Sequence, residues 1–174
     1  MAKPDAPAWQ IERLTASHDR SSFCCGKPIL DNFLQKLATQ YERKGFAVTY
    51  VAVSQADNKV HGYYSLSVSK LRGESLPEEV RRKLPRHPLP TVLLSRLAVD
   101  QRAKGQRLGE TLLLDALRRC LQTAESLGIH AVEVDAVDED ACRFYLKYGF
   151  SPLIDDPLPL YLPMKTIKRS FGSP

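Results

Sequence analysis

The sequence predicts an α+β domain built on one mixed β-sheet. Three observations carry this. Short runs are rich in β-branched and aromatic residues or almost wholly apolar, and two of the short segments, 9–14 and 131–137, alternate apolar and polar positions. Longer segments place apolar residues at helical spacing. The two kinds of segment follow one another as β-α-β-β-loop-β-α-β-α-β, with turn residues between them. The chain has 174 residues, 43% hydrophobic and 26% charged, which suits a single core of ordinary size.

Residues 1–8, rich in proline and alanine, are expected to form a flexible N-terminus, residues 9–168 one domain, and residues 169–174 a flexible C-terminus. Residues 9–14 alternate as a first strand. Ile29, Leu30, Phe33, Leu34, Leu37, Ala38 and Tyr41 then recur at i, i+3, i+4, which predicts a helix over 29–44. Pro28 suits its first turn and Gly45 its end. Strands follow at 47–54 and 60–68, joined by a turn at Asp57-Asn58. Residues 70–90 hold four prolines and many charges and read as a loop around a short helix at 77–83. Residues 91–99 are an almost wholly apolar strand. A glycine-containing turn leads into a helix over 108–127, with Gly128 as its C′ residue. Residues 131–137 alternate as a strand. Asp138 can cap a helix that ends near Tyr148-Gly149, with Phe144 as its core aromatic, and 160–167 reads as a closing strand.

Composition narrows the function. No apolar run of about 18 residues exists, and residues 1–9 lack an apolar signal core, so the default is a cytoplasmic protein with no membrane partner. Cys24 and Cys25 are adjacent, Cys120 and Cys142 are distant, and the four histidines are scattered, so no metal site is expected. Net charge is +5, and residues 70–107 carry ten basic against four acidic side chains. Such a region either attracts phosphates or is a plain solvated basic face.

The stretch 94–110 is the most informative. A strand runs into a loop with Gly105 and Gly109, and the loop opens a helix. Glycines let the backbone approach a ligand closely, and free amides at the helix start point at an anion. Lys104 and Arg107 add full charge. This is a seat for a pyrophosphate, or an ordinary β-α turn with a basic surface. Its spacing is neither that of a P-loop nor that of a GxGxxG turn.

Residues 102–109, Arg-Ala-Lys-Gly-Gln-Arg-Leu-Gly, resemble motif A of the GNAT acetyltransferases, Q/R-x-x-G-x-G/A, with Arg107 where that family usually has Gly or Ala. Residues 141–150, Ala-Cys-Arg-Phe-Tyr-Leu-Lys-Tyr-Gly-Phe, resemble motif B, A-x-x-F-Y-x-x-x-G-F. The likeness extends to GNAT toxins of type II toxin–antitoxin systems, the TacT/AtaT group. Phe23-Cys24-Cys25-Gly26 is similar to their F-D-C-G segment, with Cys24 in place of Asp. Gly62-Tyr63-Tyr64-Ser65-Leu66, the Leu84-Pro85 to Asp100 run, and Pro157-Leu158 with Tyr161 to Lys165 match further segments.

That resemblance implies a GNAT fold whose central sheet has a splayed strand pair binding acetyl-CoA. Leu97, Ala98 and Val99 would meet the pantetheine arm, and one of the amides of Leu97 or Ala98 the thioester carbonyl. Arg102, Lys104, Gly105, Gln106, Arg107, Leu108, Gly109 and Glu110 would hold the pyrophosphate, with Ala141 and Phe144 also lining the cofactor. Tyr145 would be the general acid, since a phenol keeps its proton at neutral pH. No dedicated base is evident; Glu133 and Asp135 are either bases or surface strand residues. The implied acceptor is the α-amine of an aminoacyl-tRNA, held by Lys36, Arg43, Lys44, Arg72, Arg81, Arg82, Lys83, Arg86 and Arg96. The implied partner is a ribbon-helix-helix antitoxin, and a homodimer stays open. Two alternatives remain: a GNAT enzyme acting on a small-molecule or protein amine, and a non-catalytic nucleic-acid-binding or regulatory module of the same fold.

Overall fold

The computed structural model describes residues 9–154 and 158–172. The N-terminal segment 1–8, Pro157 and residues 173–174 lie outside the described residues. The strands are β1 (Trp9–Arg13), β2 (Val48–Ser54), β3 (Val60–Leu71), β4 (Leu89–Val99), β5 (Ala131–Asp135), β6 (Ser151–Pro152) and β7 (Pro159–Pro163). The helices are α1 (Pro28–Asn32), α2 (Ala38–Arg43), α3 (Glu78–Arg81), α4 (Leu108–Ala124), α5 (Glu139–Lys147) and α6 (Met164–Ser170). Strand order is β1-β2-β3-β4-β5-β7-β6. With antiparallel β1/β2, β2/β3, β5/β7 and β6/β7 pairs and a parallel β4/β5 pair, the sheet is mixed, as expected.

The chain divides into two compact units, Met1–Leu66 with Arg96–Ala116, and Ser67–Ser95 with Leu117–Pro174. In the first, β1 pairs with β2 from Trp9↔Ser54 to Arg13↔Tyr50. Facing residues Thr49 and Ser65 on β2 and β3 share a buried hydroxyl hydrogen bond of 2.7 Å, so neither polar group is left unpaired. The predicted first helix is present but is not uniform. Pro28 opens α1, a π segment covers Phe33–Leu37, and α2 completes it. Gly45, at φ +75°, ends it in the left-handed region. Phe33, Leu34 and Ala38 are buried with Phe23, Leu30, Val51, Val60, Tyr63 and Ala98 in one core cluster. Gly62 has no room for a side chain: a Cβ there would lie 2.8 Å from Leu112 Cδ1, 3.1 Å from Leu108 Cδ2 and 3.2 Å from the Ala98 carbonyl. Its bare backbone brings β3 down onto the first turns of α4.

In the second unit, β4 pairs with β5 from Thr91↔Ala131 to Leu94↔Val134, and β5 pairs with β7 from Ala131↔Pro163 to Asp135↔Pro159. Leu71, Leu76, Leu89 and Tyr161 form a small cluster that Leu84 and Leu153 cover. The loop over 70–90 thus has its own apolar anchor. Asp138 caps α5 by accepting from the Ala141 amide at 2.9 Å, as the sequence suggested.

Three expectations fail. The helix expected over 108–127 stops at Ala124; Leu127 is exposed and Gly128 lies beyond the turn that follows. The Leu127 amide closes that turn on the Thr123 carbonyl at 3.1 Å. The strand expected over 160–167 is β7 followed by α6: Pro163 breaks the strand and precedes the helix, and Met164 and Ile167, three apart, are both buried. Helix α6 continues through Ser170. Finally, Phe144 is not the buried aromatic of α5; Tyr145 is, at 5% exposure, with Phe144 half-buried. Gly149, at φ +92°, folds the chain back so that Phe150 lies 5.5 Å from the Tyr145 ring, which an i, i+3 stripe cannot foresee.

Candidate active site

The loop after β4 belongs to the first unit. Strand β4 runs on for five residues past its last β5 pair, Leu94↔Val134, so Leu97, Ala98 and Val99 lie beyond that register. Asp100 then ends the strand. Its side chain is 1% exposed and accepts from the Arg102 amide and Nε, both at 2.9 Å, from Arg102 Nη2 at 3.1 Å, and from the Cys24 amide at 3.0 Å. Burial alone would raise its pKa, but these hydrogen bonds and the adjacent guanidinium outweigh burial and hold the carboxyl below the ordinary aspartate range. A 3-10 turn over Gln101–Ala103 follows, with Ala103 buried beneath it.

Lys104, Gly105, Gln106 and Arg107 are all exposed, and the chain re-enters the core at Leu108. Gly105 has φ +79° and Arg107 φ +59°. Arg107 is the one non-glycine residue with positive φ among the described residues. The position where motif A usually carries Gly or Ala therefore keeps a left-handed backbone even though an arginine fills it, at a cost of roughly 1–2 kcal/mol. The Thr111 amide and hydroxyl both donate to the Arg107 carbonyl, at 3.1 and 3.0 Å, and steady the bend. Gly109 and Glu110 are half-buried in the first turn of α4. The loop sets exposed Lys104 and Arg107 directly before the N-terminus of α4, an arrangement that suits an anionic diphosphate.

Tyr145 belongs to the second unit. Its ring packs edge-on against Phe144 at 5.2 Å and against Phe150. Burial pushes its phenol well above the ordinary tyrosine value, so it holds its proton across the physiological range. Ala141 and Phe144 are half-buried on the same helix. Glu133 accepts from the Thr91 hydroxyl at 2.8 Å, and burial raises its carboxyl above the usual range. Asp135 is exposed. Among the described residues, no three or more His, Cys, Asp and Glu side chains gather as a metal site would require. Burial lifts the thiols of Cys25 to about 11 and Cys120 to about 12, which leaves them poor nucleophiles.

The basic residues fall into two sets. In the first unit Lys36, on the π segment, Arg43 and Lys44 are exposed. Arg96 instead lies with its Cζ 3.7 Å from the centre of the Phe33 ring and 5.5 Å from that of Tyr41. A cation–π contact therefore fixes the direction of this arginine. In the second unit Arg72, Arg81, Arg82, Lys83 and Arg86 are exposed. Arg81, Arg82 and Arg86 line a cleft of about 580 Å³ with Gly73, Glu74, Leu84 and Pro85. Arg82 also pairs with Glu78 at 2.9 Å. Sequence reasoning missed the roles of Asp100 and Gly62. An Asp two residues before the amide it accepts from is a recognisable turn signal, whereas Gly62 becomes visible only once its neighbours are packed.

A family model described as an acetyltransferase (GNAT) domain matches residues 45–152. A tRNA-acetylating toxin of Mycobacterium tuberculosis is 38% identical over 160 residues, which are 92% of this chain and 95% of the relative. This chain belongs to the GNAT acetyltransferase family. Two solved GNAT structures extend the comparison. AtaT complexed with acetyl-methionyl-tRNAfMet superposes with a TM-score of 0.88 at 32% identity, covering 95% of this chain and all of that one, 100%. A Tyr-to-Phe variant of AtaT bound to the C-terminus of the antitoxin AtaR and acetyl-CoA superposes with a TM-score of 0.83 at 30% identity, covering 95% and 99%. The exposed loop, with Lys104, Arg107 and two left-handed residues, has the charge and backbone shape that suit the diphosphate of acetyl-CoA.

Proposed function

We propose that this GNAT protein moves an acetyl group from acetyl-CoA to the α-amine of an aminoacyl-tRNA, blocking translation, and that a cognate antitoxin neutralises it. What carries this reading is a likeness to tRNA-acetylating toxins along almost the whole chain, in a protein with an exposed cationic loop before α4 and a buried phenol on α5.

Acetyl-CoA supplies an acetyl thioester that an amine can displace. The chain's own residues bind, aim and supply a proton. Backbone groups of Leu97, Ala98 and Val99 pair with the pantetheine arm as an added strand would. The amide of Leu97 or Ala98 donates to the thioester carbonyl, where negative charge develops. Lys104 to Glu110 hold the diphosphate, with Arg107 adding charge. Ala141 and Phe144 line the cofactor. Tyr145, kept protonated by its raised pKa, gives its proton to the departing thiolate and regains one from the attacking nitrogen as that becomes an amide, so the products are the N-acetyl amine and the CoA thiol. No strong base is needed, because an α-amine titrates near about 7.7, far below a lysine amine.

Lys36, Arg43, Lys44 and Arg96 in one unit, and Arg72, Arg81, Arg82, Lys83 and Arg86 in the other, serve the tRNA phosphates. Residues 9–168 act as one domain in the cytoplasm. The antitoxin is of ribbon-helix-helix type with a C-terminal tail that covers the toxin's groove, and the toxin works as a homodimer. No helix among the described residues is long and apolar enough to cross a membrane. The deciding experiment expresses the protein with and without Tyr145→Phe and examines cellular aminoacyl-tRNAs by mass spectrometry. Wild type slows growth and leaves N-acetylated aminoacyl ends; Tyr145→Phe does neither while keeping its melting temperature. A wild type that acetylates no tRNA refutes the reading.

A further inference from the structure

We propose that Asp100 is a positioning residue for the diphosphate loop: it buckles the strap at residues 23–26 to the loop at 101–107, and Arg102 serves that buckle rather than the phosphates. The inference rests on the reading of the loop as the diphosphate seat.

The loop has almost no regular structure of its own between the 3-10 turn and α4, and two of its residues stand in the left-handed region. Something outside it must hold its amides in aim. Asp100 is the buried hub. One carboxylate oxygen takes the Cys24 amide and Arg102 Nη2; the other takes the Arg102 amide and Nε. The strap closes a second bond in the opposite sense, the Gln101 amide donating to the Cys24 carbonyl at 2.9 Å. The Asp100 amide donates to the His61 carbonyl at 2.8 Å, which fixes the hub to β3.

The strap is itself tied down. Gln35 donates to the Phe23 carbonyl at 2.8 Å and the Cys25 amide donates to Asp31 at 2.8 Å, both partners belonging to the first helical region. Gly26, at φ +92°, lies so close to the loop that a Cβ would stand 3.0 Å from Gln101 Nε2. A buried carboxylate needs a countercharge. Arg102 supplies it with a two-nitrogen fork, so two of its nitrogens face Asp100 and not a ligand. Motif A's leading Q/R position is then a clasp in this chain. Pre-aimed amides bind without the entropy cost of being ordered, and the loss of the clasp loosens them.

The test uses calorimetric titration of the full chain with acetyl-CoA and with acetyl-pantetheine, which lacks the diphosphate. The variants are Asp100→Asn, Arg102→Gln and the double substitution. At metal sites, losing a residue that orients the ligating groups costs about 10–100-fold, and by the same logic each single variant should weaken acetyl-CoA about tenfold or more. Acetyl-pantetheine should bind all of them as it binds wild type. The double variant should lose no more than the worse single one, because both changes open the same clasp. Hydrogen exchange of the amides at 101–107 should quicken in each variant. In turnover, KM for acetyl-CoA should rise while kcat holds.

Equal losses for both ligands would reduce Asp100 to a general structural role and overturn the proposal. So would multiplicative losses in the double variant, which would make Arg102 a phosphate ligand in its own right. If Asp100→Asn does not fold, Arg102→Gln decides through the exchange rates and the two titrations. A wild type that binds acetyl-pantetheine as tightly as acetyl-CoA overturns the loop's assignment and this inference with it, an outcome none of the variant results imitates.

Discussion

Gly62→Ala should destabilise the protein although it adds a single methyl group. The new Cβ would stand 2.8 Å from Leu112 Cδ1, 3.1 Å from Leu108 Cδ2 and 3.2 Å from the Ala98 carbonyl. The leucine methyls could turn aside, but Leu112 and Leu108 are 0% and 1% exposed and have little room to do so. The carbonyl is backbone of β4 and cannot turn at all without dragging the strand. Overpacking of this kind costs about 1–3 kcal/mol. For a chain of this length, 2 kcal/mol corresponds to a fall in melting temperature of roughly 4–8 °C. Because Leu108 starts α4, the displacement also shifts the first amides of the helix, so acetyl-CoA should bind more weakly. Differential scanning calorimetry and ligand titration measure the two effects. A Gly62→Ala protein that melts within about 1 °C of wild type would refute the contact geometry on which the placement of α4 is argued.

Gly105→Ala tests backbone strain without crowding, because nothing lies within 4 Å of the added Cβ while φ is +79°. It should cost about 1–2 kcal/mol in thermal melts and weaken acetyl-CoA; an unchanged melt would mean the loop relaxes to another bend. Acid titration tests Asp100. Its folded pKa is depressed, so its contribution is whole above the ordinary aspartate value of about 3.9 and is lost as pH falls through the lower folded value. Asp100→Asn should therefore be less stable than wild type at neutral pH, with the gap narrowing as the solution is acidified. Melts at several pH values check this, and a gap that stays constant would refute it.

Much of this fold is legible in the sequence because its strands are short runs rich in β-branched and aromatic residues and its helices begin and end on Pro28, Gly45, Asp138 and Gly149, whose backbone preferences are local. The errors have a common physical source. Tyr145 is buried, in place of Phe144, through a contact with Phe150, which lies past the helix end and does not enter a helical stripe. Residues 164–167 look like a strand continuation because four consecutive residues carry little periodicity, and the bond from the Met164 amide to the His130 carbonyl at 2.8 Å is distant in sequence. The loop's glycines and cations were readable at once. Its clasp was not, since Cys24 and Asp100 are 76 residues apart.

The π segment at Phe33–Leu37 bears on how this helix tolerates change in length. A π turn is an α-helix that has absorbed one extra residue, so everything after it is rotated by about 100° from where an unbroken helix would place it. That rotation is what sets Tyr41 edge-on to Phe33 at 5.1 Å, with both rings within reach of the Arg96 guanidinium. Excising one residue from the segment would give a more regular backbone and a worse protein: Tyr41 would swing off the aromatic stack, and Arg96 would lose one wall of its cage. In this region a perfect helix would be the defect, and a single-codon deletion should be harder to survive than most substitutions.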